Sequence, residues 1–389
     1  SSYAPSITLF MMKVKIAISE PAEVTDPFIT DLASFIAKSK RALVVTGAGI
    51  SCSSGIPDFR SADGLYNIVK QRHPGTVLRG KELFDATLFR NEKTIKCFYT
   101  FMAELRSLIT SANPTATHEF IQSMTNKGQL LRCYTQNIDF LEEDLNIPAI
   151  QLHGTMKQVR CTLCSATYDF SDDYESQFRA GDAPTCPQCE DFDAERTRLG
   201  KRQLAMGTLR PAIVLYNEEH PNGESIGQLQ VNDLKKKPDL MIVMGTSLKI
   251  PALKKFIKQA ARIIHSKPGG CVVFVNRTSP TKEWEKIFDY EVLGDSDEWV
   301  EMTNKKLLDE KLMTRTATKL KRVAKDLAEE DEEEEKENKT VKRLVTKVTI
   351  KSSNSKRAPL KRQLSKTQTT LQDFTVAKRR CATKTAKAV

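Results

Sequence analysis

The stretch Ala42-Leu43-Val44-Val45-Thr46-Gly47-Ala48-Gly49-Ile50-Ser51 decides the fold class. A short, β-favouring apolar run leads directly into a glycine turn. That is the pattern of a strand buried on both faces and ending in a loop where a phosphate can sit. Glycines let backbone N–H groups close on a pyrophosphate that any Cβ would hold off, although a lone Gly-x-Gly also suits an ordinary tight turn. Cys52 stands where a dinucleotide fingerprint has its third glycine, and residues 66–71 hold no acid for the ribose of a dehydrogenase cofactor. Phosphate binding is therefore expected here, and hydride transfer is not.

Working outward, further short apolar runs recur at Leu130–Thr135, Ala149–Leu152, Ala212–Tyr216, Leu240–Met244, Cys271–Val275 and Tyr290–Leu293. Between them lie helical patterns at Asp31–Lys40, Glu92–Thr110, Thr117–Thr125 and Pro251–His265. Strands alternating with helices predict an α/β doubly wound fold on a parallel sheet. Residues 63–113 and 156–207 interrupt the alternation and are expected to form a second, smaller lobe. The expected organisation is an arm at 1–26, a catalytic domain at 27–302 and a helical extension at 303–328. An acidic hinge and a basic, disordered tail should follow at 329–389.

Charge supports that division. The 389 residues carry 60 Lys and Arg against 49 Asp and Glu, formally +11. Residues 339–389 alone hold 15 basic residues and the single acid Asp373, a balance of +14, which leaves the rest of the chain at −3. Basicity belongs to the tail, so a basic nucleic-acid-binding fold is not indicated. No run of about 18 apolar residues is present to span a membrane.

The strongest chemical signal is Cys161-x2-Cys164 with Cys186-x2-Cys189, 21 residues apart. Paired knuckles of this kind supply four thiolates to a tetrahedral Zn²⁺, and four protein ligands make the site structural rather than catalytic. Two disulfides are the alternative. The opening Ser1-Ser2-Tyr3 does not read as a secretory leader, and five further cysteines (52, 97, 133, 271, 381) are scattered, so a reducing compartment and zinc are expected. The segment Thr135-Gln136-Asn137-Ile138-Asp139 ends one strand with polar groups, fit either for a ligand crevice or for capping a helix. Asp58 and Arg60 are either a surface ion pair or ligand-binding groups. Of the five histidines, His153 follows a strand and precedes Gly154, which gives a general base the exposure it needs. His118 lies in a helical pattern and reads as structural, while His265 closes a helix. Gly245-Thr246-Ser247, Asn276 and Gly294-Asp295-Ser296 put small polar residues at three more strand ends.

Taken together and in order, Gly47–Ser51, Gly55-Ile56-Pro57-Asp58-Phe59-Arg60, Thr135–Asp139, His153-Gly154, the four cysteines, Gly245–Ser247 and Asn276 resemble the sirtuin family over roughly residues 27–300. The resemblance implies a Rossmann-like large domain and a smaller zinc-ribbon and helical lobe, the ribbon at about 156–195. It implies NAD⁺ consumed as co-substrate: nicotinamide leaves, the acyl group of an acyl-lysine passes to ADP-ribose, and His153 acts as base, with Asn137 beside it in the catalytic set. By the same resemblance Gly47, Ala48, Gly49, Ser51, Asp58, Phe59, Arg60, Gln136, Asn137 and Asp139 would hold the phosphates, the nicotinamide and its ribose. Gly245, Thr246, Ser247, Asn276 and Ser296 would hold the adenosine half. Asn217, Glu218, Lys249 and Ile250 would pair with the substrate peptide as an added strand. A catalytically weak acyl-lysine or ADP-ribose scaffold and a mono-ADP-ribosyltransferase are the alternatives.

Two departures matter. Tyr216-Asn217-Glu218 replaces the family's usual Phe-Gly-Glu, and Val69 replaces the arginine that accompanies Tyr66 in members taking acidic acyl groups, so a neutral acyl group such as acetyl is expected. The Tyr-Asn-Glu variant and the charged extension look like the fungal nuclear branch, which implies acetylated histone H3 as substrate. In the tail, Lys356-Arg357, Lys361-Arg362 and Lys378-Arg379-Arg380 read as nuclear import signals, with weak non-specific DNA contact also open. Gln368, Leu371 and Phe374 resemble a sliding-clamp binding box that lacks its second aromatic, since Thr375 occupies that place.

Overall fold

The computed structural model describes residues 14–309 apart from 73–74 and 76–79, together with residues 321, 336, 339 and 340. The chain divides into two units, residues 1–314 and 315–389. The acidic hinge apart from residue 336, the import signals and the clamp-like Gln368, Leu371 and Phe374 lie outside the described residues.

Ten strands are described: β1 (Val14–Ala17), β2 (Ala42–Thr46), β3 (Leu130–Thr135), β4 (Ala149–Gln151), β5 (Gly154–Cys161), β6 (Thr167–Asp169), β7 (Leu209–Ile213), β8 (Leu240–Met244), β9 (Cys271–Asn276) and β10 (Tyr290–Leu293). Seven form one sheet in the order β1-β10-β9-β8-β2-β3-β4, with every pairing parallel. The continuous apolar runs are explained by burial on both faces. Ala42 and Val44, Leu240 and Ile242, and Val273 and Val275 join one apolar cluster, packed by Ile29, Leu32, Phe120 and Trp299. The alternate residues Leu43, Val45, Met241, Val243 and Phe274 join a second cluster with Phe256, Ile257, Trp284 and Phe288. A period of two thus sorts each strand between two helical layers.

The remaining three strands form a small antiparallel sheet, β6-β5-β7. A third core, with Phe98, Tyr99, Phe101, Phe170 and Phe178, belongs to this part of the chain. It is formed largely by helices Leu65–Arg72, Glu92–Ser111 and Asp172–Arg179.

Three expectations are corrected. Residues expected only as an arm contain β1, which pairs with β10 as a sheet edge, and the first helix starts at Ala22 rather than near Asp31. The run expected at Ala212–Tyr216 is β7, which ends at Ile213 and lies in the small sheet, antiparallel to β5. β5 itself carried no recognisable run because Lys157 and Gln158 are exposed in mid-strand, where the register also shifts. The final helix is described over 296–309.

Candidate active site

Sheet register brings the site together. Thr46 pairs with both Thr135 and Met244, Thr135 with Gln151, Met244 with Val275, and Asn276 with Leu293. The residues that follow these strands therefore share one rim at the carboxyl end of a parallel sheet, where this fold class binds ligands.

After β2 the chain turns into the 3-10 segment Ala48–Ser54. Gly49 donates its N–H to the Gly245 carbonyl at 2.9 Å. A Cβ at Gly47 would sit 2.7 Å from that carbonyl oxygen, and one at Gly49 2.7 Å from the Gly245 Cα. The two glycine turns touch backbone to backbone, so glycine is needed there for packing as well as for any phosphate. Side chains then bridge the strand ends. Gln136 Nε2 donates to Thr246 Oγ1 at 2.7 Å, and Asn137 Nδ2 to Ser51 Oγ at 3.3 Å. Asn137 is 2% exposed and its Oδ1 has no partner among the described residues, an acceptor left for a ligand.

His153 is oriented by the same network. Its Nδ1 lies 2.9 Å from the Gln136 carbonyl, and a carbonyl can only accept, so Nδ1 carries the proton. Nε2 keeps its lone pair, as a general base requires. Withdrawal from bulk water lowers the pKa of the ring, and the charges of His220 and Arg60 act in the same direction. The imidazole is thus held neutral.

Other expected residues make local contacts. Asp58 makes no ion pair with Arg60; it accepts from the N–H groups of Arg60 (2.7 Å) and Ser61 (2.8 Å) and folds its own loop. Arg60 instead donates to the Tyr216 hydroxyl at 2.8 Å. Phe59 packs edge-on between Tyr66 and Phe84, with ring centroids at 5.8 and 5.3 Å. Asn276 donates to the Thr278 carbonyl at 3.0 Å, and Ser296, 6% exposed, accepts from Thr117 at 3.0 Å. Ser247 and Lys249 are exposed, and Ile250 caps the helix Pro251–His265.

The Tyr-Asn-Glu variant has a structural reading. Asn217 adopts φ 61°, a left-handed conformation that asparagine tolerates better than other residues with a Cβ, so it fills a glycine's place. The Glu218 carboxylate is bound by Arg160 at 2.8 Å, by Arg210, and by the Leu215 N–H at 3.0 Å. It braces the loop from inside. Sequence reasoning missed both arginines, and only their closeness to Cys161 and β7 could have hinted at them.

The four cysteines converge. Their sulfurs lie within 4.8 Å of one another, with Cys161–Cys189 at 3.8 Å and Cys164–Cys186 at 3.6 Å. A tetrahedron with metal–sulfur bonds of ~2.3 Å has edges of about 3.8 Å, whereas a disulfide needs ~2.05 Å. The set fits structural zinc.

Against known proteins, the Sir2 family pattern matches residues 47–252. The chain is similar to the NAD-dependent histone deacetylase HST3 of Candida albicans, 42% identical over 75% of this chain and 64% of that protein. It is also similar to HST3 of Saccharomyces cerevisiae, 40% identical over 76% of this chain and 72% of that one. The NAD-dependent protein deacetylase hst4 of Schizosaccharomyces pombe is 42% identical over 69% of this chain and 66% of its own length. The chain thus covers less than two thirds of the first of these relatives. A structure solved to explain the mechanism and regulation of Sir2 enzymes matches with a TM-score of 0.56 at 27% identity, over 73% of this chain and 99% of that one.

Proposed function

The chain belongs to the Sir2 family, and from that premise we propose that it is an NAD⁺-dependent protein lysine deacetylase acting on chromatin, with an acetylated histone as its substrate. The observation that carries this reading is one rim holding a neutral His153 with a free Nε2, a buried Asn137 Oδ1 without a partner, and two glycine turns in backbone contact. In this reading Asn137 accepts from the nicotinamide end of the co-substrate and His153 withdraws a ribose hydroxyl proton. The acetyl group passes to ADP-ribose as nicotinamide departs, and one water is consumed to free the lysine amine. Gly47, Ala48, Gly49 and Ser51 hold the phosphates and the adjoining ribose, and Gly245, Thr246, Ser247 and Asn276 the adenosine half. Tyr216 commits its N–H and C=O to Phe84 and Ala86, at 2.8 and 3.0 Å, and Glu218 its N–H to Leu215 at 3.3 Å. The peptide therefore pairs with the backbone groups left over on Asn217 and Glu218 on one side and with Lys249 and Ile250 on the other. Val69 is buried in the small core and brings no cation to the acyl group, which favours acetyl.

Incubation with acetylated histones and NAD⁺, following nicotinamide, free lysine and protein-bound ADP-ribose, tests the reaction class. Nicotinamide and deacetylated lysine should appear in equal amounts, with H3 the preferred histone. Absence of nicotinamide release, or ADP-ribose attached to protein in place of deacetylation, overturns the proposal.

Histone-directed relatives support a nuclear place of work, which suits the basic clusters of the tail. The box at Gln368, Leu371 and Phe374 adds a sliding clamp as a partner, a reading carried by sequence alone. Leu371→Ala with Phe374→Ala should lower clamp pull-down about tenfold or more, since both anchor side chains go. Unchanged capture sinks the idea.

A further inference from the structure

Behind the rim lies a sealed cluster. A ring nitrogen of His118 and one carboxylate oxygen each of Asp139 and Glu142 lie within 4.8 Å of one another. Their exposures are 0%, 3% and 1%. The arrangement looks like a metal site, but the histidine argues against it. The Thr115 backbone N–H points at His118 Nδ1 at 3.2 Å, and a peptide N–H can only donate. Nδ1 is occupied as an acceptor and Nε2 bears the proton, so neither nitrogen has a lone pair to give a metal.

Among the described residues, two carboxyl groups then share a dry site without a cation. The charged or titratable groups around them are Asp144 on their own segment, the Cys133 thiol of β3, and His118 with Asp297 beyond it. None supplies a positive charge at neutral pH, because burial pushes His118 down to about 4. Two bare carboxylates at this separation in low dielectric repel strongly, and taking up a proton relieves the repulsion. Burial raises both groups, and the charge of Asp139 raises Glu142 further. Glu142 Oε1 accepts from Thr46 at 3.3 Å, while Oε2 has no partner among the described residues. On the other side Ser51 lies beside Asp139, whose charged form its hydroxyl favours, and accepts from Asn137 Nδ2 at 3.3 Å.

We infer that Glu142 is a positioning residue that shares one proton with Asp139, directly or through one bridging water, and so holds Asp139, Ser51 and Asn137 in place at the rim. Its effect on turnover rests on the deacetylase reading above; its effect on stability does not.

Wild type, Glu142→Gln and Glu142→Ala separate the two. A carboxyl raised in the fold keeps its proton while the unfolded chain loses it near pH 4, so wild-type stability is lost as pH rises through the raised value. Glutamine is permanently neutral. The melting temperature of Glu142→Gln relative to wild type should therefore climb by about 3 °C or more between about pH 5 and about pH 8. A difference that stays constant or shrinks overturns the shared proton. In turnover, wild-type kcat should fall at alkaline pH as the shared proton is lost, whereas Glu142→Gln should keep kcat within about threefold of the wild-type maximum and show no such fall. Glu142→Ala should lower kcat/KM for NAD⁺ about tenfold or more. Equal losses in both variants at every pH overturn the positioning role. If the melting temperatures behave as expected and wild type shows no deacetylation, the functional reading fails and the shared proton stands.

Discussion

Replacing His153 with alanine should lower NAD⁺-dependent deacetylation by about 10²- to 10⁴-fold, the usual worth of a positioned general base, while the chain stays folded. The side chain is half-buried on the rim and belongs to none of the three apolar cores, so its loss removes chemistry and not packing. What is lost is a preset tautomer. The Gln136 carbonyl at 2.9 Å commits Nδ1 as donor and leaves Nε2 as the base. The depressed pKa also fixes the sign of the pH dependence. Protonation removes the base, so wild-type rate should fall as pH drops through a value below the ordinary histidine pKa of about 6.5, and that limb should vanish in the variant. Nicotinamide release by His153→Ala at the wild-type rate would refute the assignment. Circular dichroism and zinc content should match wild type.

Cys186→Ser should abolish stoichiometric zinc binding and unfold the small lobe, with loss of all activity. Cys161 and Cys186 are 2% and 0% exposed, and the sulfurs tie the end of β5 to the start of the helix Pro187–Arg198. The sheet they anchor has strands of 8, 3 and 5 residues, too small to hold itself by backbone pairing. Apparent zinc-binding free energies of about 10–16 kcal/mol in small thiolate sites are comparable to the whole stability of a domain. Metal loss should therefore appear as lost hydrogen-exchange protection over 154–213, while β2, β8 and β9 stay protected. His153 leads directly into β5, and its carbonyl accepts from the Val214 N–H at 2.8 Å, so turnover goes with the lobe. A metal-free protein that keeps its fold and activity would contradict the structural role of the site.

What could be read from the chain followed how local each signal is. Val44, Ile242 and Val273 announce a sheet covered on both faces because such strands carry their burial in their own side chains. β5 announces nothing, since Lys157 and Gln158 interrupt it, and β1 is a four-residue edge. The zinc knuckles are legible because two ligands at fixed spacing sit within one turn. The Arg160–Glu218–Arg210 brace is not, because its members are brought together only by the pairing of β5 with β7.

The α/β class, the family, the four thiol ligands and the separation of a near-neutral body from a basic tail are legible before any folding is considered. Those depend on residue type, spacing and order along the chain. Folding was needed to show that Asp58 bonds within its own loop, that His153 offers Nε2, and that His118, Asp139 and Glu142 meet in one dry site. A tautomer is set by whichever donor or acceptor folds against the ring, and a carboxyl's proton by the charges and solvent that folding leaves around it. Those neighbours come from distant parts of the chain, so no local reading contains them.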